Sequence, residues 1–175
     1  RPRSRLGWLP GPGGLRIAQT DQIRERLQQS RPRRAWSIPL VEPVQFPGRP
    51  VPIDPYVLGV LLGDGGMSSA SVRISTADQE ILDRVCRHLP QGLTLKRVTG
   101  TQYDYVVLGH GRGHPHPLKS ALSELGLWGR TSPEKFIPDL YLWNDQHTRL
   151  ELLRGLMDTD GSASRDRHVS FCSTS

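Results

Sequence analysis

Only two cysteines, Cys86 and Cys172, occur among the 175 residues. They stand far apart and outside any Cys-x-x-Cys spacing, which excludes a disulfide framework and a cysteine-based structural zinc site. Long apolar runs are missing as well. None approaches the ~20 residues that cross a bilayer, and the N-terminal stretch lacks the apolar segment of a secretory signal. The expectation is a protein with no membrane partner, in a reducing cytoplasm. Lysine is scarce, with Lys96, Lys119 and Lys135 the only ones, yet Lys and Arg together number 23 against 17 Asp and Glu, for a formal charge of +6. Nearly all of the basic excess is therefore arginine, whose planar fork of donors matches phosphates and guanine edges better than an ammonium does. Such a surface attracts polyanions, nucleic acid first among them. Arginine-rich codon usage would give the same composition.

What is present is unevenly distributed. Residues 1–53 are rich in Pro, Gly and Arg and read as an arm broken by one helix, Thr20–Gln29. Thr20 is its expected cap, Asp21 lies in the first turn, and Ile23 and Leu27 make an i, i+4 stripe. From Asp54 a compact region is expected: Asp54 suits a helix N-cap, Pro55 the first helical position, and an apolar helix runs from Tyr56 toward Gly63. Alternation over Ala70–Ser75 predicts a strand, and Ile81, Leu82, Val85, Cys86 and Leu89 predict a helix over 77–89 capped by Thr76. Strands follow at Leu93–Val98 and Tyr103–Leu108 around a Gly100 turn, then a helix over Pro117–Leu125. The fold class is α+β, with a first unit over 54–143. Near Asn144 and Asp145 the texture of the first helix returns, so 144–175 reads as the start of a second unit.

The two repeat-opening segments are LGVLLGDGG, Leu58–Gly66, and LRGLMDTDG, Leu153–Gly161. Gly59 and Gly63 stand four apart, as do Gly155 and Thr159, so each helix carries a strip of small residues on one face. A helical Gly costs about 0.5–1 kcal/mol relative to Ala, and close approach of two helix backbones is what offsets it. Packed along those strips, the helices would bring Asp64 and Asp160 together at their ends. Each Asp is followed by Gly, which permits a left-handed turn. Two carboxylates at helix C-terminal ends repel each other and the helix dipoles, an arrangement that bound divalent cations stabilise. Magnesium (Mg2+) is the natural ion, and a carboxylate-held metal beside a basic surface is equipment for phosphodiester hydrolysis. A single Asp-Gly is more simply a plain turn. Two copies in matching contexts favour the paired site.

These motifs closely resemble the LAGLIDADG family of homing endonucleases, of the kind carried inside inteins. The resemblance implies a fold of αββαββα repeats with a saddle-shaped antiparallel sheet, and paired helices between the halves. It assigns the final Asp of each motif, Asp64 and Asp160, to metal binding and catalysis, and leaves Asp158 structural. Glu134-Lys135-Phe136-Ile137-Pro138 is similar to the lysine-bearing block of intein endonucleases, which would set Lys135 near the metals to polarise a water or the scissile phosphate. Trp36–Phe46 and Ile53-Asp54-Pro55-Tyr56 resemble the stretch that joins a splicing domain to its nuclease. In all, the resemblance covers about residues 16–175. Residue 1 is Arg, no Thr-x-x-His is present and no His-Asn pair closes the chain, so splicing chemistry is not expected. Asp64 and Asp160 are 96 positions apart and 15 residues follow Asp160, so the second repeat is expected to be truncated. Its uncovered apolar side, with Leu152 and Leu156, would favour self-association.

Other candidates are weaker. Arg73, Lys96 and Arg97 lie in predicted strands, from which side chains of one face can enter a major groove of double-stranded DNA. As single residues they are equally solvated surface charges. His110, His114 and His116 form an HxxxHxH cluster among Gly and Pro, without partner cysteines; a polar loop is the simpler reading. Trp128, Trp143, Tyr141 and Leu140 read as packing residues. The alternatives to a DNA endonuclease are a non-catalytic or maturase-like nucleic-acid-binding module and a decayed part of a protein-splicing element.

Overall fold

A computed structural model describes residues 19–29, 41–68, 70–109, 111, 114–164 and 168–173. Trp36, His110 and the side chains of Ile23 and Leu27 lie outside the described residues. The chain divides into two units, 1–43 and 44–175. In the first, α1 spans Thr20–Gln29. Thr20 is thus the first helical residue and not the cap expected of it.

The second unit runs α2 (Pro55–Asp64), β1 (Gly65–Gly66), β2 (Arg73–Ser75), α3 (Gln79–His88), β3 (Thr94–Arg97), β4 (Asp104–Leu108), α4 (Pro117–Glu124). A single 3-10 turn at Ser132–Glu134 leads to α5 (Asp139–Leu142), α6 (Gln146–Asp160), β5 (Gly161–Ala163) and β6 (Val169–Phe171). The class is α+β, with small antiparallel sheets. β1 to β4 form one in the order β1-β2-β4-β3, and β5 pairs with β6 in another. The strand that the sequence pattern does not reveal is β1: two glycines carry no side chains, so no alternation exists to read. Its recognition completes the order helix, two strands, helix, two strands, helix.

Local chemistry sets the boundaries. Asp54 caps α2 by accepting from the Tyr56 and Val57 amides at 3.0 and 3.2 Å, and Pro55 supplies a preset φ at the first helical position. For α3 the cap is Asp78, which accepts from the Glu80 amide at 2.8 Å. Thr76, the expected cap, accepts instead from the Asp78 amide at 3.1 Å. Gly100 takes φ +85° between β3 and β4, a conformation that a residue with a Cβ resists. Asp145 caps α6 through the Thr148 amide at 2.7 Å. Among the described residues no helix is long and apolar enough to cross a membrane.

The unit takes in residues 44–53, read from the sequence as part of the arm. Asn144, fully buried, accepts from the Arg49 amide and donates to the Arg49 and Leu140 carbonyls, each at 2.9 Å. The Tyr141 hydroxyl accepts from the Ile53 amide at 3.0 Å and donates to the Ile53 carbonyl at 2.8 Å. Burial, its largest influence, raises the Tyr141 phenol to about 12, so it remains a donor. Two buried side chains thus act as a substitute strand edge for a segment without one. Tyr141 is core, as expected for it; Trp143 is exposed and meets Phe46 edge to face at 5.5 Å.

The helices α2 and α6 make the most extensive contact between elements. α2 is buried on every side from Tyr56 to Leu62, because α6 covers one flank while the other joins Val72, Ile74, Val85 and Val107 in the core. A methyl on Gly155 would lie 2.9 Å from the Gly59 Cα and 2.8 Å from the Val60 nitrogen; one on Gly59 would lie 2.9 Å from the Gly155 Cα. Leu152, expected on an uncovered face, is instead buried against α2, and Leu156 packs against the core. Positions 152, 155, 156 and 159 share one helical face. Among the described residues of 144–175, the large apolar side chains that are exposed are Leu150, Leu153, Val169 and Phe171.

Helix propensity alone would make Gly155→Ala stabilising by about 1 kcal/mol, whereas overlap with the Gly59 backbone predicts a net loss of about 1–3 kcal/mol. Urea unfolding decides by sign: a lower midpoint is expected, and a raised one would refute the helix contact.

Candidate functional site

Each motif helix ends on its aspartate and passes straight into a strand, α2 into β1 and α6 into β5. The glycine after each aspartate is extended and not left-handed, with φ −85° at Gly65 and −87° at Gly161. The turn expected from the Asp-Gly pairs is absent, and the glycines serve space. A Cβ at 65 would lie 2.8 Å from the Leu61 carbonyl carbon, and one at 161 would lie 2.8 Å from the Met157 Cα.

The structure brings Asp64, Asp160 and Lys135 together. A methyl on Gly63, the residue before Asp64, would sit 3.2 Å from Asp160 Oδ2 and run into Thr159. Gly59, Gly63, Gly155 and Thr159 therefore all lie in the helix contact, as their spacing predicts. The Asp64 carboxyl is held above the usual aspartate range, first by loss of surrounding water and then by the Asp160 charge, against the pull of Lys135. Its side chain still reaches solvent, so a ligand has access to it. Asp158 faces elsewhere: it accepts from the Tyr56 hydroxyl at 2.8 Å and pairs with Arg84 at 3.7 Å. Arg84 also stacks 3.7 Å from the Tyr56 ring centre and meets Glu151 at 2.6 Å. Asp158 thus belongs to a clamp joining α2, α3 and α6.

Lys135 holds a position that its sequence context does not disclose. Only 7% exposed, its ammonium donates to the carbonyls of Leu61, Leu62, Gly63 and Gly65 at 3.1, 3.0, 3.0 and 2.8 Å. Leu61 to Gly63 are among the final carbonyls of α2, which have no partner within the helix. The lysine satisfies them and places a positive charge at the negative end of the dipole. Burial lowers its pKa, while Asp160 and Asp64 raise it. All three of its protons are directed at main-chain oxygens, so it orients the end of α2 that carries Asp64.

The expected DNA-contacting residues divide between two faces. Arg73 pairs with Val106, which pairs with Lys96, so these three share one face. Arg97 pairs with Tyr105, which pairs with buried Ile74, and belongs to the opposite face. Adjacent residues of one strand point oppositely, so Lys96 and Arg97 cannot act side by side. Of the histidine cluster, His116 caps α4: its Nδ1 accepts from the Lys119 amide at 3.4 Å and its Nε2 donates to the Val107 carbonyl at 3.2 Å. Both ring nitrogens are engaged. Among the described residues no three His, Cys, Asp or Glu side chains form a metal-sized group.

The chain is 32% identical over 131 residues to a replicative DNA helicase DnaB of Mycobacterium intracellulare. The match takes in 75% of this chain and 18% of that helicase. No family model matches the chain.

The raised pKa of Asp64 has a signed consequence. A carboxyl raised on folding contributes stability below its ordinary pKa and loses it as pH rises through the folded value. Without divalent cations, Asp64→Asn is therefore expected to be more stable than the wild type at pH 7, with the gap closing toward pH 4. Urea midpoints at the two pH values measure this; equal gaps would contradict the strained carboxylate.

Proposed function

We propose that this chain is the nuclease region of a LAGLIDADG homing endonuclease of the intein type, a divalent-metal-dependent, site-specific double-strand DNA endonuclease. One observation carries the reading: two helices in contact through their glycine strips deliver Asp64 and Asp160 to one place, each at the entry to a strand. The order helix, two strands, helix, two strands, helix over 55–124, followed by helix and two strands over 146–171, supports a repeated αββαββα plan. The helicase match supports an insert within that protein. No lysine in this sequence follows a glycine, so the region lacks the GxxxxGK[ST] loop that grips nucleotide phosphates.

The donor set suits magnesium. Mg2+ takes one or two protein carboxylates and completes its shell with water and substrate phosphate, whereas a zinc site takes three or four protein ligands, drawn mainly from His and Cys. Asp64 and Asp160 would hold the ion, which supplies Lewis-acid polarisation of the scissile phosphate and an activated water. The residues of this chain contribute position. Gly59 and Gly155 set the helix separation, Gly63 leaves room for Thr159, and Lys135 fixes the end of α2. The outward sheet face, with Arg73 and Lys96, would bind the duplex major groove. Self-association would use the exposed Leu150, Leu153, Val169 and Phe171.

Asp64→Asn is expected to abolish magnesium-dependent cleavage of a randomised DNA library, by 100-fold or more on the order typical of lost electrostatic stabilisation, while duplex affinity stays within a few-fold. Retained cutting of both strands by the variant would overturn the assignment. Binding without cleavage by the wild type would assign the chain to the non-catalytic, maturase-like class.

A further inference from the structure

Lys135 fixes the end of α2 through its main chain, whereas α6 is gripped through its side chains. Glu151 and Asp158 stand seven residues apart on α6. Seven residues are two turns of helix, so both lie on one flank, about 10 Å apart along the axis. Arg84 of α3 reaches both. Its Nη2 donates to Glu151 Oε2 at 2.6 Å, its Nη1 stands 3.7 Å from Asp158 Oδ2, and its guanidinium carbon lies over the Tyr56 ring of α2, 3.7 Å from the ring centre. The Tyr56 hydroxyl donates to the same Asp158 oxygen at 2.8 Å. Burial, its largest influence, and the Asp158 carboxylate both raise the Tyr56 phenol, so it stays a donor. An ammonium could not replace Arg84, because only a planar fork serves two carboxylates while presenting a face to an aromatic ring.

The glycine strip sets how close α6 comes to α2, and the grip on its flank sets how far it turns about its own axis. These are separate constraints. Asp160 follows Asp158 by two residues, about 200° around the helix, so a turn of α6 that loosens Asp158 swings Asp160 through the same angle. At a side-chain radius of about 5–6 Å, a turn of about 10° moves the Asp160 carboxylate by about 1 Å. Magnesium demands near-ideal geometry at ligand distances of about 2.0–2.1 Å. A displacement of that size is therefore large for a cation shared with Asp64.

We propose that Arg84 is a positioning residue for Asp160, holding α6 at the axial rotation in which its terminal carboxylate and that of Asp64 face one cation. The inference rests on the shared-site reading above and extends the site to a residue of α3, outside both motifs. Asp158 is the handle by which α6 is held, and Tyr56 ties that handle to α2.

The test is Mn2+ affinity, read by electron paramagnetic resonance on the full chain under conditions where circular dichroism shows every variant folded. Arg84→Lys keeps the charge and loses the fork, and should weaken Mn2+ binding about tenfold. Asp158→Asn keeps an oxygen for Tyr56 and gives up the charge, and should weaken it as well. The two together should weaken it no more than the stronger one alone, since both release the same constraint. Val85→Ala, which removes fully buried core volume from the same helix, should lower the urea midpoint and leave Mn2+ affinity unchanged. Wild-type affinity in Arg84→Lys or Asp158→Asn, additive losses in the double variant, or an equal loss in Val85→Ala would overturn the positioning role and leave the shared site standing. A wild type that binds no Mn2+ would overturn the site and this inference with it.

Discussion

The contact of α2 with α6 through Gly59 and Gly155 is the constraint on which the rest of the unit depends. Neither position tolerates a Cβ without meeting main-chain atoms of the other helix, so the helix separation is set by backbone against backbone. Side chains elsewhere in the core can change rotamer; here nothing is adjustable. That rigidity reaches the helix ends, where Gly63 faces Thr159 and the two aspartates enter strands. It also dictates the faces: Leu152 turns inward with the glycine strip, and Leu153 is left in solvent.

Bringing two helix C-terminal ends and two carboxylates together gathers negative charge. The fold answers with one buried ammonium. Lys135 spans from the 3-10 turn before α5 to four carbonyls at the end of α2, and its charge counters part of the repulsion felt by Asp64. The compensation is incomplete, since Asp64 stays above the usual aspartate range. Residual strain of this sort is common where a site is shaped for a ligand that the apo protein does not itself supply. A cation held by both carboxylates would relieve it, and the same arrangement that weakens the metal-free fold would then stabilise it.

Much of this was legible in the residues. Helical periodicity and the Asp54-Pro55 start located α2, Asp145 marked α6, and alternation located β2 to β4. The helix strips followed from spacing alone. Two further features were equally accessible: the period of a strand separates Lys96 from Arg97, and the period of a helix puts Leu152 and Leu156 on the glycine face. Other features had no local signal. β1 is two glycines, and the engagement of residues 49–53 depends on Asn144 and Tyr141, which lie roughly ninety positions away in the chain. The role of Lys135 depends on carbonyls 70 to 74 positions away. Capping by Thr76 failed because Asp78, two residues on, offers a stronger charged acceptor to the helix amides.

Direct titration with Mn2+, a spectroscopic stand-in for Mg2+, tests the central claim that the helix contact builds one shared cation site from Asp64 and Asp160. Loss of the free Mn2+ electron paramagnetic resonance signal would be followed for the wild type and for Asp64→Asn and Asp160→Asn, each checked for folding by circular dichroism. The account predicts saturable binding by the wild type, weakened at least tenfold in either variant. Equal binding by the wild type and one of the variants would contradict it, because that aspartate would then have no part in holding the ion.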